Sequence, residues 1–238
     1  MVRQMRSRAG LWAAGVAAAV GVAGAVSLAT GTGDTQGSAM TSAQADVLAL
    51  ARFHDFQNGV SAIDATVPVS GQDFRLDGRV DWHGHLGYAT LASSQQGDGT
   101  ELLQWTPSGI AVHGSWTGPL PARPPADGWT VRAWQPGAEL DTALQLILDL
   151  GSDRSENAQR LQQSGAEVLR RDSVGGTAVT VFAGPPENST AAAHTRYWIA
   201  DDGTLRRFEA QVDGSSTWTR VDLAPGRTPA VPHIPGMR

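Results

Sequence analysis

Histidines two residues apart in an extended strand project to the same side, and His83-Gly84-His85 is the one pair in this chain that could offer a cation two imidazoles in that way. The pair flanks a glycine at an apparent turn and has no third ligand close in sequence, so it reads as solvated turn histidines. Asp201-Asp202 is a carboxylate pair of the kind that acid–base chemistry uses, but Gly203 follows it, and Asp-Gly between alternating runs is hairpin-turn chemistry. Ser115, Ser152 and Ser155 sit in no Gly-x-Ser-x-Gly nucleophile elbow. No Gly-x-x-x-x-Gly-Lys loop is present and no Gly-x-Gly-x-x-Gly follows a strand, which leaves nucleotide binding without a motif. Asn188-Ser189-Thr190 fits a glycosylation acceptor and reads as a loop. No catalytic residue, metal ligand or cofactor is expected from these residues.

The composition narrows the field further. The chain has 238 residues, of which 17% are charged and 41% hydrophobic, with 28 Gly and 13 Pro, as in a folded, loop-rich domain. Every basic residue is Arg, and with a net charge of −5 a nucleic-acid partner is not expected. Cysteine is absent, which excludes disulfides, thiolate metal sites, a Cys nucleophile and lipid attachment through Cys. Arg3, Arg6 and Arg8 precede an uncharged run from Ala9 to Gly33. Residues 1–33 therefore read as an export segment with its Arg side kept in the cytoplasm, serving either as an uncleaved signal-anchor or as a signal peptide cut near Ser27-Leu28-Ala29. Both readings put the rest of the chain outside the cytoplasm, at the membrane or secreted. Residues 34–41 follow as a linker, and 42–238 as one domain.

The elements of that domain follow from hydrophobic period. Thr41–Asn58 reads as an amphipathic helix with Ser42 at its N-cap, a face of Val47, Leu50 and Phe53, and Gly59 closing it. From Ser61 the period becomes two. Ser61–Val69, Phe74–Trp82, Leu86–Ser93, Leu102–Thr106, Gly109–His113 and Gly128–Trp134 are short strands joined by turn-forming residues, an antiparallel walk. Ala138–Leu150 returns to helical spacing, with Leu140, Leu144, Ile147 and Leu148 on one face, and Ser152–Ser164 is a shorter, more polar helix. Glu167–Asp172 and Thr177–Ala183 flank Gly175-Gly176. A closing meander follows: Arg196–Ala200, Leu205–Val212 and Thr217–Leu223. In its middle strand Phe208, Ala210 and Val212 share the covered face, and Arg207, Glu209 and Gln211 the wet one. Ala224–Arg238 is Pro-rich and supplies an edge strand or a tail. The fold class is α+β: an antiparallel sheet with helices packed on it.

This order, together with local stretches, resembles the LolA-like superfamily, in particular the actinobacterial LppX/LprG lipoprotein-type carriers. The stretches are Leu76-Asp77-Gly78-Arg79-Val80-Asp81 with Leu86-Gly87-Tyr88-Ala89, Gly128-Trp129-Thr130-Val131-Arg132, Leu161-Gln162-Gln163-Ser164-Gly165-Ala166 with Val174-Gly175-Gly176-Thr177, and Tyr197-Trp198-Ile199-Ala200-Asp201-Asp202-Gly203-Thr204-Leu205-Arg206-Arg207. The resemblance implies a strongly curved antiparallel half-barrel whose concave side, closed by helices, holds acyl chains of a lipid or lipidated molecule. The alternative is a sensor module like the LolA-like half of RseB-type regulators; a secreted hydrolase has no motif to support it. If a cavity exists, the face of Leu140, Leu144, Ile147 and Leu148 looks across it at strand residues of shared parity, with Leu103 and Trp105 on one side and Val179 and Val181 on the other. Trp105, Trp116, Trp129, Trp134, Trp198 and Trp218 all fall in or near strands, where indoles serve a core or line an apolar pocket.

Overall fold

The helix that opens the domain shows how local chemistry sets its ends. In the computed structural model, which describes residues 37–95, 99–187, 191–212, 214–226, 230–234 and 236–237, α1 runs Ser42–Asn58. Its N-cap is Thr41 rather than Ser42. The Thr41 side chain accepts from the Gln44 N–H at 3.3 Å, and the Gln44 side-chain oxygen accepts from the Thr41 N–H at 2.8 Å, a reciprocal capping box. The 1–33 segment and Asn188–Thr190 lie outside the described residues.

Among the described residues, twelve strands form one antiparallel sheet. They are β1 (Ser38–Ala39), β2 (Val60–Val69), β3 (Gln72–Asp81), β4 (Leu86–Ser93), β5 (Thr100–Thr106), β6 (Gly109–Trp116), β7 (Trp129–Arg132), β8 (Glu167–Val174), β9 (Thr177–Ala183), β10 (Thr195–Ala200), β11 (Leu205–Gln211) and β12 (Trp218–Pro225). The order across the sheet is β1-β8-β9-β10-β11-β12-β2-β3-β4-β5-β6-β7. It is two meanders, β2–β7 and β8–β12, joined where β12 pairs with β2 through Val221 opposite Ala65 and Leu223 opposite Ile63. Ser38–Ala39, in the stretch expected to be linker, pairs with Val168 and Glu167 of β8. The β8–β9 turn needs positive φ at both central residues, and Gly175 and Gly176 supply it at 56° and 79°.

The connection from β7 to β8 must pass from near one edge of the sheet to near the other. It does so as α2 (Glu139–Leu148) and α3 (Ala158–Gln163). The second of these is shorter than the expected Ser152–Ser164 helix. The Ser152 hydroxyl is bonded to the Arg154 carbonyl in a local turn, and the Asn157 side chain caps from the Arg160 N–H at 3.0 Å. α1 and α2 pack on the same face of the sheet, in one apolar cluster with Ile63, Leu76, Val80, Leu103, Trp105, Phe182, Phe208 and Val221. Phe208, Ala210 and Val212 are buried on this inner face as their alternation requires.

The α1 face differs from expectation. Ala45, Leu48, Ala51 and Asp55 are buried, while Val47, Leu50 and Phe53 are half-buried. Small Ala side chains let the helix approach the sheet closely, so the larger residues flank the contact. The final stretch is neither edge strand nor free tail. Val231, Ile234 and Met237 are buried against the outer face, on β4 to β7.

Candidate functional site

Among the residues expected to face one another, Leu103, Trp105, Leu144, Ile147 and Leu148 are buried in the same cluster, and Leu140 packs at its margin. They meet directly. The Trp105 indole lies across Gly87 of β4, where a Cβ would collide with the ring, so the glycine is a packing requirement. The same indole donates its N–H to the Leu144 carbonyl at 3.1 Å, which satisfies a buried donor and ties β5 to α2. The space between helix and sheet is filled by these side chains.

Val179 and Val181 are placed differently from the expectation. They cluster with Trp198 and Ala200, against Leu169 and Val174, on the outer face, while their neighbour Phe182 points to the inner cluster. The register gives the reason: Val181 is opposite Trp198, which is opposite Arg207, on the charged side of β11. Parity therefore brings Val179 and Val181 to the opposite side of the sheet from Leu144.

α2 is fastened at its N-terminal end. The Arg132 guanidinium donates two bonds to Asp141, at 2.6 and 2.7 Å, and the Gln135 N–H adds a third at 2.8 Å. Burial alone would raise the Asp141 carboxyl, but the Arg132 bonds and charge with the Gln135 N–H outweigh it and hold it below the usual range. Glu139 accepts the Ser70 N–H at 2.8 Å, pinning the β2–β3 turn to the same end. A solvent-open groove of about 510 Å³ lies here, lined by Val69, Ser70, Gln135, Leu140 and Asp141 among others. A second open groove, of about 400 Å³, lies between β7 and the last residues, with Val131, Ala133 and Met237 in its walls.

The polar candidates lie in turns and local pairs. His83 and His85 are exposed in the β3–β4 turn, and the His83 ring packs edge-on against Phe56 at 4.5 Å. Asp201 is paired with Arg171 at 2.9 Å, and the Arg171 bond and charge hold its carboxyl low. Asp202 accepts the Thr204 N–H at 2.9 Å and so closes the β10–β11 turn. No three His, Cys, Asp or Glu side chains come together to hold a metal among the described residues, and no helix among them is long and apolar enough to cross a membrane. A buried carboxylate that sequence reasoning missed is Asp55, 1% exposed, with neither oxygen bonded. Its signal was present in the sequence: Asp55 stands at helical spacing from Leu48 and Ala51.

No protein-family model and no curated protein matches the sequence. Solved structures do. The chain is similar to a DUF1329 family protein from Desulfovibrio piger at 11% identity and a TM-score of 0.30, covering 76% of this chain and 90% of that one. It is similar to a chain of the MucA/MucB complex from Pseudomonas aeruginosa at 15% identity and a TM-score of 0.35, covering 79% of this chain and 58% of that one. A domain from Vibrio parahaemolyticus assigned to outer membrane lipoprotein sorting matches at 10% identity and a TM-score of 0.20, over 70% of this chain and 84% of that one. These are distant likenesses and say nothing of what this chain binds. The fold itself is an open curved antiparallel sheet with helices on its inner side, the α+β half-barrel architecture expected from the sequence.

Proposed function

We propose that the protein is an exported, membrane-associated carrier that binds the acyl chains of a lipid or lipidated molecule against the inner face of its sheet, in the manner of LppX/LprG-type proteins, tethered or released through residues 1–33. The observation that supports this reading is the way α2 is held. Its charged anchors, Arg132–Asp141 and Ser70–Glu139, sit at its first turn, its C-cap is tied to α1 by the Arg52 side chain donating to the Asp149 carbonyl at 2.6 Å, and between them the Trp105–Leu144 bond stands among apolar contacts of Leu144, Ile147 and Leu148 with an apolar inner face. Uptake breaks the C-terminal tie to Arg52, and α2 then lifts about its first turn. Exposing the three apolar side chains costs about 5–9 kcal/mol at roughly 1.5–3 kcal/mol each, and an acyl chain of about fifteen methylenes returns about 12 kcal/mol on burial. Ligand uptake is therefore an exchange of one apolar surface for another, with Leu103, Trp105, Leu140, Leu144, Ile147 and Leu148 as the lining.

The interior filled by the protein's own side chains favours a second reading, an extracytoplasmic sensor of RseB-like type that carries no ligand and presents a closed domain to a protein partner. Native mass spectrometry of full-length protein extracted from membranes separates the two. A co-purified lipid, lost in Leu144→Trp, supports carriage; a bare protein that retains no fluorescent fatty acid removes the carrier reading. A reporter joined after residue 40 that is active only in the cytoplasm overturns the exported location.

A further inference from the structure

The outer face of β4, β5 and β6 carries an aromatic groove. Leu86, Tyr88 and Leu102 form its buried floor, and Trp116, Leu120 and Trp129 flank it. Residues of the final segment fill it: Val231 packs with Leu86, Tyr88 and Leu102, and Ile234 and Met237 pack with Ala111 beside Trp129. The contact is more specific than apolar cover. Gln104, fully buried on β5, donates its amide N–H to the Pro232 carbonyl at 3.1 Å and accepts the Ile234 N–H at 2.9 Å. One side-chain amide thus reads both the donor and the acceptor of an extended backbone.

The filling segment has its own pattern. In Val231-Pro232-His233-Ile234-Pro235-Gly236-Met237 the apolar anchors recur every third residue, and two of them are followed by proline. Val231 and Ile234, three residues apart in an extended stretch, have the spacing of a polyproline II ribbon, which docks with little entropy loss on aromatic-lined grooves, and Met237 reaches its place through a turn closed by its N–H on the Ile234 carbonyl at 3.3 Å. An aromatic groove, a backbone-reading amide and an extended, proline-containing occupant are the parts of a proline-rich peptide site. The site is also incompletely satisfied. Arg79 stacks over the Tyr88 ring at 5.5 Å, and the Tyr88 hydroxyl and Arg79 Nε are buried without an acceptor. The missing acceptor is one that a different peptide can bring.

We propose that this groove is a docking site for an extended, proline-containing segment of a partner protein, and that residues 231–237 are its resident, exchangeable occupant. Tethering gives the resident a high effective concentration, so a partner peptide binds when it outcompetes the tail or when the tail is released. The proposal is independent of what the inner face carries.

The test uses the full chain with Val231→Asp and Ile234→Asp, which removes the tail's anchors and leaves the groove intact. The probe is a fluorescein-labelled peptide of the native sequence 229–238, read by fluorescence anisotropy. We expect the variant to bind it at least tenfold more tightly than the parent chain. Adding Gln104→Ala to the variant should weaken binding at least tenfold, and so should replacing Pro232 and Pro235 of the probe by alanine. A folded variant that does not bind the probe, or binds it equally with Gln104→Ala, overturns the proposal. Hydrogen exchange on the parent chain gives an independent measure should the double variant fail to fold. The Ile234 amide should exchange at least a hundredfold faster than that of Leu103 in β5, and Gln104→Ala should speed it further without a comparable effect on Leu103. Equal protection of the two amides makes the tail a fixed part of the core and overturns exchangeability. A parent dimer with tails swapped between copies gives the groove to a second copy and overturns the partner reading.

Discussion

The indole N–H of Trp105, in β5, donates to the carbonyl of Leu144, in α2, at 3.1 Å across the interior of the half-barrel. A helical carbonyl has a second lone pair, so this bond adds to the helix ladder without breaking it. It ties β5 to α2 among largely apolar contacts, and that makes it the natural latch for the proposed opening.

Trp105→Phe keeps an aromatic ring over Gly87 and deletes the donor. We expect a loss of about 0.5–1.5 kcal/mol in denaturant unfolding, the net worth of one intramolecular hydrogen bond. If α2 opens to admit a ligand, fluorescent fatty-acid uptake measured by stopped flow becomes faster in the same variant. A change in stability with no change in uptake rate would assign Trp105 to packing alone.

Leu144 is fully buried between α2 and the sheet. Because its neighbours touch it, Leu144→Ala should cost about 2–5 kcal/mol, the sum of lost burial and a cavity. Leu144→Trp overpacks the same site and should cost about 1–3 kcal/mol. Thermal or urea unfolding measures both. Costs far below these ranges would mean that the side chain borders empty space in solution.

Much of the sheet was legible because its strands alternate and its turns carry Gly. Leu86–Ser93 and Thr177–Ala183 coincide with the observed β4 and β9. Facing was harder. In β9 the residues from Val179 to Ala183 are all buried, on both faces, so alternation states that Val179 and Val181 share a side but not which side. Only pairing with Trp198 decides it, and that is long-range information. α1 failed for the opposite reason: its contact face is built from Ala and includes the charged Asp55, so the large apolar residues marked the wrong stripe. The Pro-rich character of the last segment was visible, yet nothing local showed that Gln104, more than a hundred residues earlier, would clasp it.

Asp141 is almost wholly buried and receives three bonds, two of them from Arg132. Asp141→Asn leaves the half-buried Arg132 uncompensated, and we expect a loss of about 3 kcal/mol at neutral pH. The pH dependence has a definite sign. The folded carboxyl is held below its ordinary value, so its contribution is present above the unfolded value of about 3.9 and is lost as pH falls through the lower folded value. Urea midpoints measured from pH 6 down to pH 2 should therefore converge for parent and variant at the acid end. A difference that stays constant over that range would rule out the ion pair as its source.

Asp55 carries the opposite sign. Burial, with neither oxygen bonded, pushes its carboxyl well above the ordinary range. The unfolded chain releases this proton near pH 3.9, while the folded chain keeps it to higher pH. Between those two values the unfolded state binds fewer protons, so this group lowers stability by up to about 1.4 kcal/mol for each pH unit gained, and the penalty is constant above the folded value. Asp55→Asn has nearly the same shape and no charge to desolvate. It should stabilise the protein at pH 7, measured as a higher urea midpoint, and the gain should shrink as the pH is lowered toward 4. Asp55→Leu, which also removes the polar atoms, should keep the gain at every pH if the helix accommodates the change in shape. A parent protein more stable than Asp55→Asn at pH 7 would mean that the ionised carboxylate has a partner in solution, and that the α1 face is wetter or more polar than its packing against the sheet indicates.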